Sequence, residues 1–200
     1  MKYFVSLALS LTLVSCGSLT NSVDWVDYGD DPLQNPDYLN DMTDAGTPGA
    51  EHEALAARAG SWTVAGQMWM EPGMDPMPMN ASAKFDVILG GRYTTEEFKS
   101  DFMGMPFEGR LTMGYDKVTN RYWSLWCDSA STGYWLAHGT ETTPGNIELH
   151  GTAQDILTPN GRPMRMTMTA NADGTHTMRM YDTRAGVDEY MSMELVYSRE

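Results

Sequence analysis

Apolar and polar residues alternate along most of the chain from residue 61 onwards, and residues 102–129 show the pattern most clearly. Phe107, Leu111, Met113 and Tyr115 have the same parity, and charged or polar residues stand between them. This period of two predicts a strand with one buried face and one solvent-facing side. A turn-forming segment follows at residues 116–120. The aromatic run after it, residues 122–127, predicts a strand that is covered on both sides.

Further alternating segments on either side of this pair predict about ten strands. Gly90-Gly91, Asn160-Gly161 and Asp173-Gly174 are typical of tight hairpin turns between such segments. In the last segment, Met191, Met193, Leu195 and Tyr197 are predicted to share one face. The pattern therefore predicts an all-β domain built as an antiparallel meander. Closure into a single antiparallel β-barrel removes the sheet edges, and a two-sheet sandwich is the alternative.

A short helix is predicted just before the first strand. Thr47 and Pro48 suit a helix N-cap and first position, and Gly60 suits the residue that ends it. His52 is predicted to be a surface or capping residue of this helix. Residues 16–47 are acidic, contain several prolines and show no sustained period, which is typical of a flexible tether. The barrel domain is therefore predicted over residues 48–200.

The first 15 residues have the layout of an export signal. Lys2 precedes a short apolar run, which is shorter than a membrane-spanning helix. The tetrad Leu13-Val14-Ser15-Cys16 resembles the lipobox of bacterial lipoproteins. This resemblance implies a signal peptide over residues 1–15 and a lipid-modified Cys16 that anchors the domain to a membrane of the cell envelope. Lipoproteins retained at the inner membrane often have Asp directly after the lipid-modified cysteine. With Gly17 at that position, the resemblance implies the outer membrane if the cell has two membranes. An ordinary signal peptide is the alternative.

Composition excludes some classes of partner. The net charge of −14 disfavours nucleic acid, which is bound through lysine and arginine. Hydrophobic residues make up 42% of the chain, a share typical of globular proteins. Cys127 stands alone in the predicted domain, and we expect it to be a buried, unreactive residue of the aromatic strand.

Two resemblances bear on the fold. Gly60-Ser61-Trp62, at the start of the first predicted strand, is similar to the Gly-x-Trp motif of lipocalins and other calycins. In those proteins an arginine of the last strand packs across the tryptophan, which implies a structural contact between Trp62 and Arg199. The resemblance implies a calycin-like barrel.

A second resemblance covers residues 48–199. It is carried by short motifs that occur in order: Pro48-Gly49-x-Glu51-His52, Ala59-Gly60-x-Trp62, Trp69-x-x-Pro72-Gly73, Leu89-Gly90-Gly91-Arg92, Pro106-Phe107-Glu108-Gly109, Gly114-Tyr115-Asp116 and Trp126-x-Asp128-Ser129. The chain thus resembles the bacterial family called domain of unknown function 1579. This family implies no established activity.

The 17 methionines suggest two kinds of site. Methionines that alternate with polar residues in the predicted strands are typical of an adaptable apolar wall. Those of the proline-rich segment 70–79 are predicted to lie in a loop, where their thioethers could bind Cu(I). The alternative metal ligands are Met70, Met74, Met77 and Met79.

The sequence shows no nucleophile beside a base and no carboxylate pair, so we expect neither an enzyme nor a cofactor. Glu96, Glu97, Asp128 and Glu194 are interpreted as isolated acids on solvated faces or in ordinary hydrogen bonds. Strand parity instead predicts a wall that binds a small apolar or amphipathic molecule. The predicted ligand-binding residues are Phe85, Phe107, Leu111, Tyr115, Trp126, Asp128, Met166, Met168, Met178 and Met193. A barrel filled by these side chains, serving a structural or protein-docking role, is the alternative.

Overall fold

The computed structural model of the chain describes residues 24–183 and 186–200, so the predicted signal peptide and Cys16 lie outside the described residues. Ten antiparallel strands form a closed barrel, in which each strand pairs with its neighbours in sequence and the first pairs with the last. This confirms the all-β meander and excludes the two-sheet sandwich. The strands are β1 (Gly60–Met68), β2 (Met77–Ile88), β3 (Tyr93–Phe102), β4 (Met105–Asp116), β5 (Arg121–Asp128), β6 (Trp135–Thr143), β7 (Asn146–Ala153), β8 (Arg162–Ala170), β9 (His176–Asp182) and β10 (Tyr190–Arg199).

Two helices precede the barrel, α1 (Pro36–Gly46) and α2 (Ala50–Ala56). Helix α1 lies within the segment that we expected to be a flexible tether. Its start is fixed by Asn35, whose side-chain oxygen accepts hydrogen bonds from the backbone N–H groups of Asp37 (2.8 Å) and Tyr38 (3.4 Å). Asn35 followed by Pro36 is a typical signal for the start of a helix. The segment was nevertheless predicted to be a tether because its apolar residues show no helical period.

Helix α2 confirms the predicted short helix, although its N-cap is Gly49 rather than Thr47. The N–H of Gly49 donates a 3.0 Å hydrogen bond to Nδ1 of His52, which confirms a capping role for this histidine. His52 is buried rather than on the surface, because its ring packs edge-on against Tyr115. No helix within the described ranges is long and apolar enough to cross a membrane.

The two ends of the barrel differ. Because successive strands are antiparallel, the β1–β2, β3–β4, β5–β6, β7–β8 and β9–β10 connections all lie at one end, here called the open end. The chain enters β1 from α2 at the opposite, closed end. There the Arg199 guanidinium lies 4.5 Å from the Trp62 ring, and the two residues are partners in the β1–β10 register. The predicted contact between Trp62 and Arg199 is confirmed.

Strand β5 corrects two expectations. Tyr122 and Ser124 are buried, whereas Cys127 is exposed. Trp123 and Leu125 have the same parity as Cys127 and are only partly covered, so β5 has one inner and one outer face. The prediction of a buried Cys127 is wrong because aromatic residues on the outer face conceal the period of two. Trp123 covers part of that face by packing 5.6 Å from the ring of Tyr93.

A β-bulge in β10 corrects a third expectation. The register shifts between Met191, which pairs with Tyr181, and Met193, which pairs with Met180. The Arg165 guanidinium covers Tyr181 and binds the exposed Glu189, so this side of the sheet is the outer one. Met191 therefore does not share the inner face of Met193. The extra residue of a bulge reverses the side-chain parity, which sequence alternation alone cannot reveal.

Candidate ligand-binding site

A cavity of about 380 Å³ occupies the barrel interior and extends to the β5–β6 connection at the open end. Tyr134, in this connection, is largely exposed, so the cavity reaches the protein surface. Methionine and aromatic side chains dominate the wall. They are Met68, Met79, Met164, Met166, Met168, Met178, Met180, Met193, Phe98, Phe102, Phe107, Trp126 and Trp135.

The structure brings together most of the residues predicted to bind a ligand. Those that line the cavity are Phe107, Leu111, Trp126, Asp128, Met166, Met168, Met178 and Met193. They come from two groups of adjacent strands in the barrel, β4–β5 and β8–β10. The inward parity of these strands places the side chains on a common wall.

Phe85 and Tyr115 do not line this cavity. Phe85 is buried at the closed end, where its ring lies 6.5 Å from Trp62 and 6.0 Å from Tyr197. Tyr115 lines a separate recess beneath α2, together with His52 and Trp123. Parity predicts which face a side chain occupies but not its height along the barrel. Both residues lie near the closed end of their strands, away from the cavity.

Trp126 and Asp128 form a fixed pair on the wall nearest the open end. The indole Nε1–H donates a 2.8 Å hydrogen bond to Oδ2 of Asp128. The other carboxylate oxygen of Asp128 accepts a 3.0 Å hydrogen bond from the backbone N–H of Ala130. The carboxylate therefore holds the Trp126 ring in place, and ligand binding by Asp128 stays a prediction.

Towards the closed end the lining of the cavity is polar. Arg58, in the α2–β1 connection, is buried, with its guanidinium 4.6 Å from the Phe85 ring. Nη1 of Arg58 donates to the Met168 sulfur at 3.5 Å, whereas its Nε has no hydrogen-bond partner. Burial lowers the pKa of Arg58, and the nearby carboxyl of Glu96 acts in the opposite direction.

Glu96 and Tyr197 complete this polar region, and both residues are buried. The Tyr197 hydroxyl is close enough to the Glu96 carboxyl to lower its pKa by hydrogen bonding, while Oε1 of Glu96 has no hydrogen-bond partner. Burial raises the pKa of Glu96 to about 7, although Arg58 and the Tyr197 hydrogen bond favour its ionised form. Burial, followed by the charge of Glu96, also raises the pKa of Tyr197. The acid thus changes its charge near neutral pH.

Comparisons with known proteins agree with this architecture. Residues 47–199 match the family described as "Protein of unknown function (DUF1579)". The chain belongs to this family. The barrel resembles the crystal structure of Rv2717c from M. tuberculosis with a TM-score of 0.55 and 16% identity, over 77% of this chain and 99% of that chain. At this identity the likeness establishes the fold alone. None of the curated proteins matches the chain in sequence.

Sequence reasoning missed the polar residues of this DUF1579 domain. Glu96 was expected on a solvated face or in an ordinary hydrogen bond, but it alternates with Thr94 and Phe98, which are also buried. That parity was the available signal. Arg58 had no comparable signal, because it lies in an irregular connection whose path depends on the packing of α2 against the barrel.

The methionines proposed as copper ligands occupy different environments. The predicted loop over residues 70–79 is wrong for two of them, because Met77 and Met79 belong to β2. Met79 is buried in the cavity wall, and Met77 pairs with Met68. Met70 and Met74 lie in the β1–β2 connection and are exposed. Copper binding by this set stays a prediction. Within residues 24–183 and 186–200, no group of three or more His, Cys, Asp or Glu residues is arranged to hold a metal ion.

Proposed function

We propose that this DUF1579 protein is a lipid-anchored envelope protein whose barrel binds a small apolar or amphipathic molecule without catalysing a reaction. The observation that carries the proposal is the cavity of about 380 Å³, which reaches the surface at the open end. Ligand sites in proteins typically have volumes of about 300–1,000 Å³ and mostly apolar walls with a few placed polar groups. This cavity has that size and that composition.

The chemistry of the wall supports a ligand of variable shape. Methionine side chains adapt their rotamers, and their polarisable sulfur atoms contact aromatic or aliphatic groups favourably. Aromatic rings such as that of Trp126 add broad contact area. The two hydrogen bonds that Asp128 accepts support a structural role for this acid, because its carboxylate holds the Trp126 ring in the cavity wall.

Binding can be tested with phenylnaphthylamine, an uncharged fluorescent dye. The full chain is reconstituted in phosphatidylcholine nanodiscs, and the signal of empty nanodiscs is subtracted. We expect saturable binding that Trp126→Ala weakens about tenfold or more, because one wall of the cavity is removed. Trp123→Ala is the matched control, since this ring lies on the outer face of the same strand.

Two outcomes would contradict the proposal. Fluorescence no greater than that of empty nanodiscs would leave a filled, structural or protein-docking barrel as the better explanation. Equal losses in Trp126→Ala and Trp123→Ala would place dye binding outside the cavity. Near-ultraviolet circular dichroism checks that both variants retain the native fold.

The lipid anchor is proposed from the lipobox-like residues around Cys16. Metabolic labelling with palmitate should modify the wild type and Cys127→Ala, but not Cys16→Ala. Cys127→Ala controls for general thiol acylation, because Cys127 is exposed. Equal labelling of the wild type and Cys16→Ala would overturn the anchor while leaving the binding proposal intact.

A further inference from the structure

The cavity has more polar side chains at its closed end than the binding of a purely apolar ligand requires. Arg58 and Glu96 are only 8% and 4% exposed, and both line the cavity. Nε of Arg58 and Oε1 of Glu96 have no hydrogen-bond partner. Both atoms are themselves buried, and buried polar atoms are normally paired, so unpaired atoms on two residues that line the same cavity indicate that this region accommodates an additional group.

The charge of Arg58 indicates which group this is. Its guanidinium contacts the Phe85 ring and the Met168 sulfur, neither of which carries a negative charge. Glu96 is near enough to interact electrostatically, but no salt bridge joins it to Arg58 among the ion pairs of the described residues. Burying a cation without a close counter-ion costs free energy. The complementary partner of Arg58 is therefore an anionic group that only accepts hydrogen bonds.

We propose that Arg58 and Glu96, supported by Tyr197, bind the anionic headgroup of a single-chain amphiphile whose tail lies along the methionine wall towards the open end. This inference rests on the proposed function and specifies its ligand class. The α2–β1 connection, β3 and β10 bring the three side chains together at the closed end of the cavity. The tail then occupies the apolar length between this headgroup site and Tyr134 at the surface.

Glu96 makes the proposed binding depend on protons. A protonated Glu96 donates a hydrogen bond to the headgroup, whereas an ionised Glu96 repels it. The charged and titratable groups that act on Glu96 are Arg58 and Tyr197, and its pKa of about 7 places the change near neutrality. His176, on β9, lies near Arg58 and stays neutral there, because burial and the charges of Arg58 and Arg199 lower its pKa to about 4.

The headgroup preference is tested by displacement of phenylnaphthylamine from the full chain in phosphatidylcholine nanodiscs. The competitors are decanesulfonate, decanol and decyltrimethylammonium, which differ in headgroup charge. Empty nanodiscs report how much of each competitor partitions into lipid. At pH 6 we expect decanesulfonate to bind at least tenfold more tightly than decanol, and decyltrimethylammonium to bind most weakly.

Variants assign the preference to Arg58. Arg58→Met should remove the advantage of decanesulfonate while retaining decanol binding, and Arg58→Lys should keep part of that advantage. Arg179→Met is the matched control, because Arg179 binds Glu194 outside the cavity, and it should behave as the wild type. Equal affinities for decanesulfonate and decanol in the wild type would overturn the headgroup site but leave the proposed function standing. Absence of saturable dye binding would overturn both.

A pH series tests the proposal on the wild-type protein, so its result does not depend on whether the Arg58 variants fold. Between pH 6 and pH 8 the Kd of decanesulfonate should rise about fivefold, as expected if binding raises the pKa of Glu96 by about one unit from its value of about 7. The sulfonate stays ionised throughout, so the protein supplies the titrating group. Glu96→Gln should bind decanesulfonate with little pH dependence. A flat wild-type profile, or a Glu96→Gln profile as steep as the wild type, would contradict the proposal.

Discussion

Two arginines lie at the closed end of the barrel: Arg199 holds the backbone of the α2–β1 connection, and Arg58 extends from that connection into the interior. Arg199 donates 2.9 Å hydrogen bonds to the carbonyl oxygens of Ala57 and Ala59, while its guanidinium covers Trp62. The indole Nε1–H of Trp62 donates a 2.9 Å hydrogen bond to the carbonyl oxygen of Arg58. Three consecutive carbonyls of the α2–β1 connection are therefore held by this pair. The Trp62–Arg199 contact thus fixes the backbone from which the Arg58 side chain enters the barrel.

We expect Arg199→Met to lower the free energy of unfolding by about 1–3 kcal/mol, since it removes two hydrogen bonds and a cation–π contact. Urea denaturation followed by tryptophan fluorescence measures this change. Arg179→Met should cost at most about 1 kcal/mol, because it breaks a partly exposed ion pair with Glu194. Equal costs for the two variants would show that Arg199 does not anchor the connection.

The strands approach each other closely at positions where only glycine fits. Gly139 of β6 pairs with Leu149 of β7, and a Cβ atom on Gly139 would lie 1.7 Å from the backbone oxygen of Glu148. Gly66 of β1 is similar, with a Cβ position 2.0 Å from the oxygen of Glu194. Side chains cannot relieve overlaps with backbone atoms, so these glycines set how tightly the neighbouring strands can pack.

Gly139→Ala should therefore destabilise the fold by about 1–3 kcal/mol, the usual cost of overpacking. Thermal unfolding monitored by circular dichroism measures the effect. Gly46→Ala is the control, because no atom lies within 4 Å of the position its Cβ would take and its φ is not positive. If Gly139→Ala and the control have the same melting temperature, β6 and β7 accommodate the added methyl group without a loss of stability, which contradicts the prediction.

At the scale of the whole molecule, burial creates two opposing dependences of stability on pH. The pKa of Glu96 is raised from 4.5 to about 7, so the folded state holds this proton more tightly than the unfolded state does. The stability it contributes is complete below about pH 4.5 and is lost as pH rises through about 7. The pKa of His176 is lowered from 6.5 to about 4, so its contribution is present above pH 6.5 and is lost as pH falls through about 4.

Glu96→Gln separates the two effects, because it removes one titration and leaves that of His176. Relative to the wild type, the variant should gain stability as pH rises from about 4.5 to 7, and the difference should then stay constant. Urea denaturation at a series of pH values gives this difference directly. A difference that does not change with pH would mean that Glu96 titrates normally and is not desolvated in the fold.

The sequence by itself determined the class of the domain and much of its wall. Alternation at a period of two marks the strands, and Asn160-Gly161 and Asp173-Gly174 lie in the connections between them. The resemblance of Gly60-Ser61-Trp62 to the Gly-x-Trp motif predicted the contact between Trp62 and Arg199, which joins the first strand to the last. These features are local or repeat regularly, so one chain is enough to recognise them.

The tertiary structure alone decided which inward residues reach the cavity and which groups lie unpaired within it. The height of Phe85 and Tyr115 along the barrel depends on the register of the strands, and the position of Met191 depends on a bulge. Arg58 enters the interior from an irregular connection, where it meets Glu96 from β3 and Tyr197 from β10. Such a meeting, with the burial that shifts the pKa of Glu96, arises only when residues far apart in sequence share one low-dielectric space.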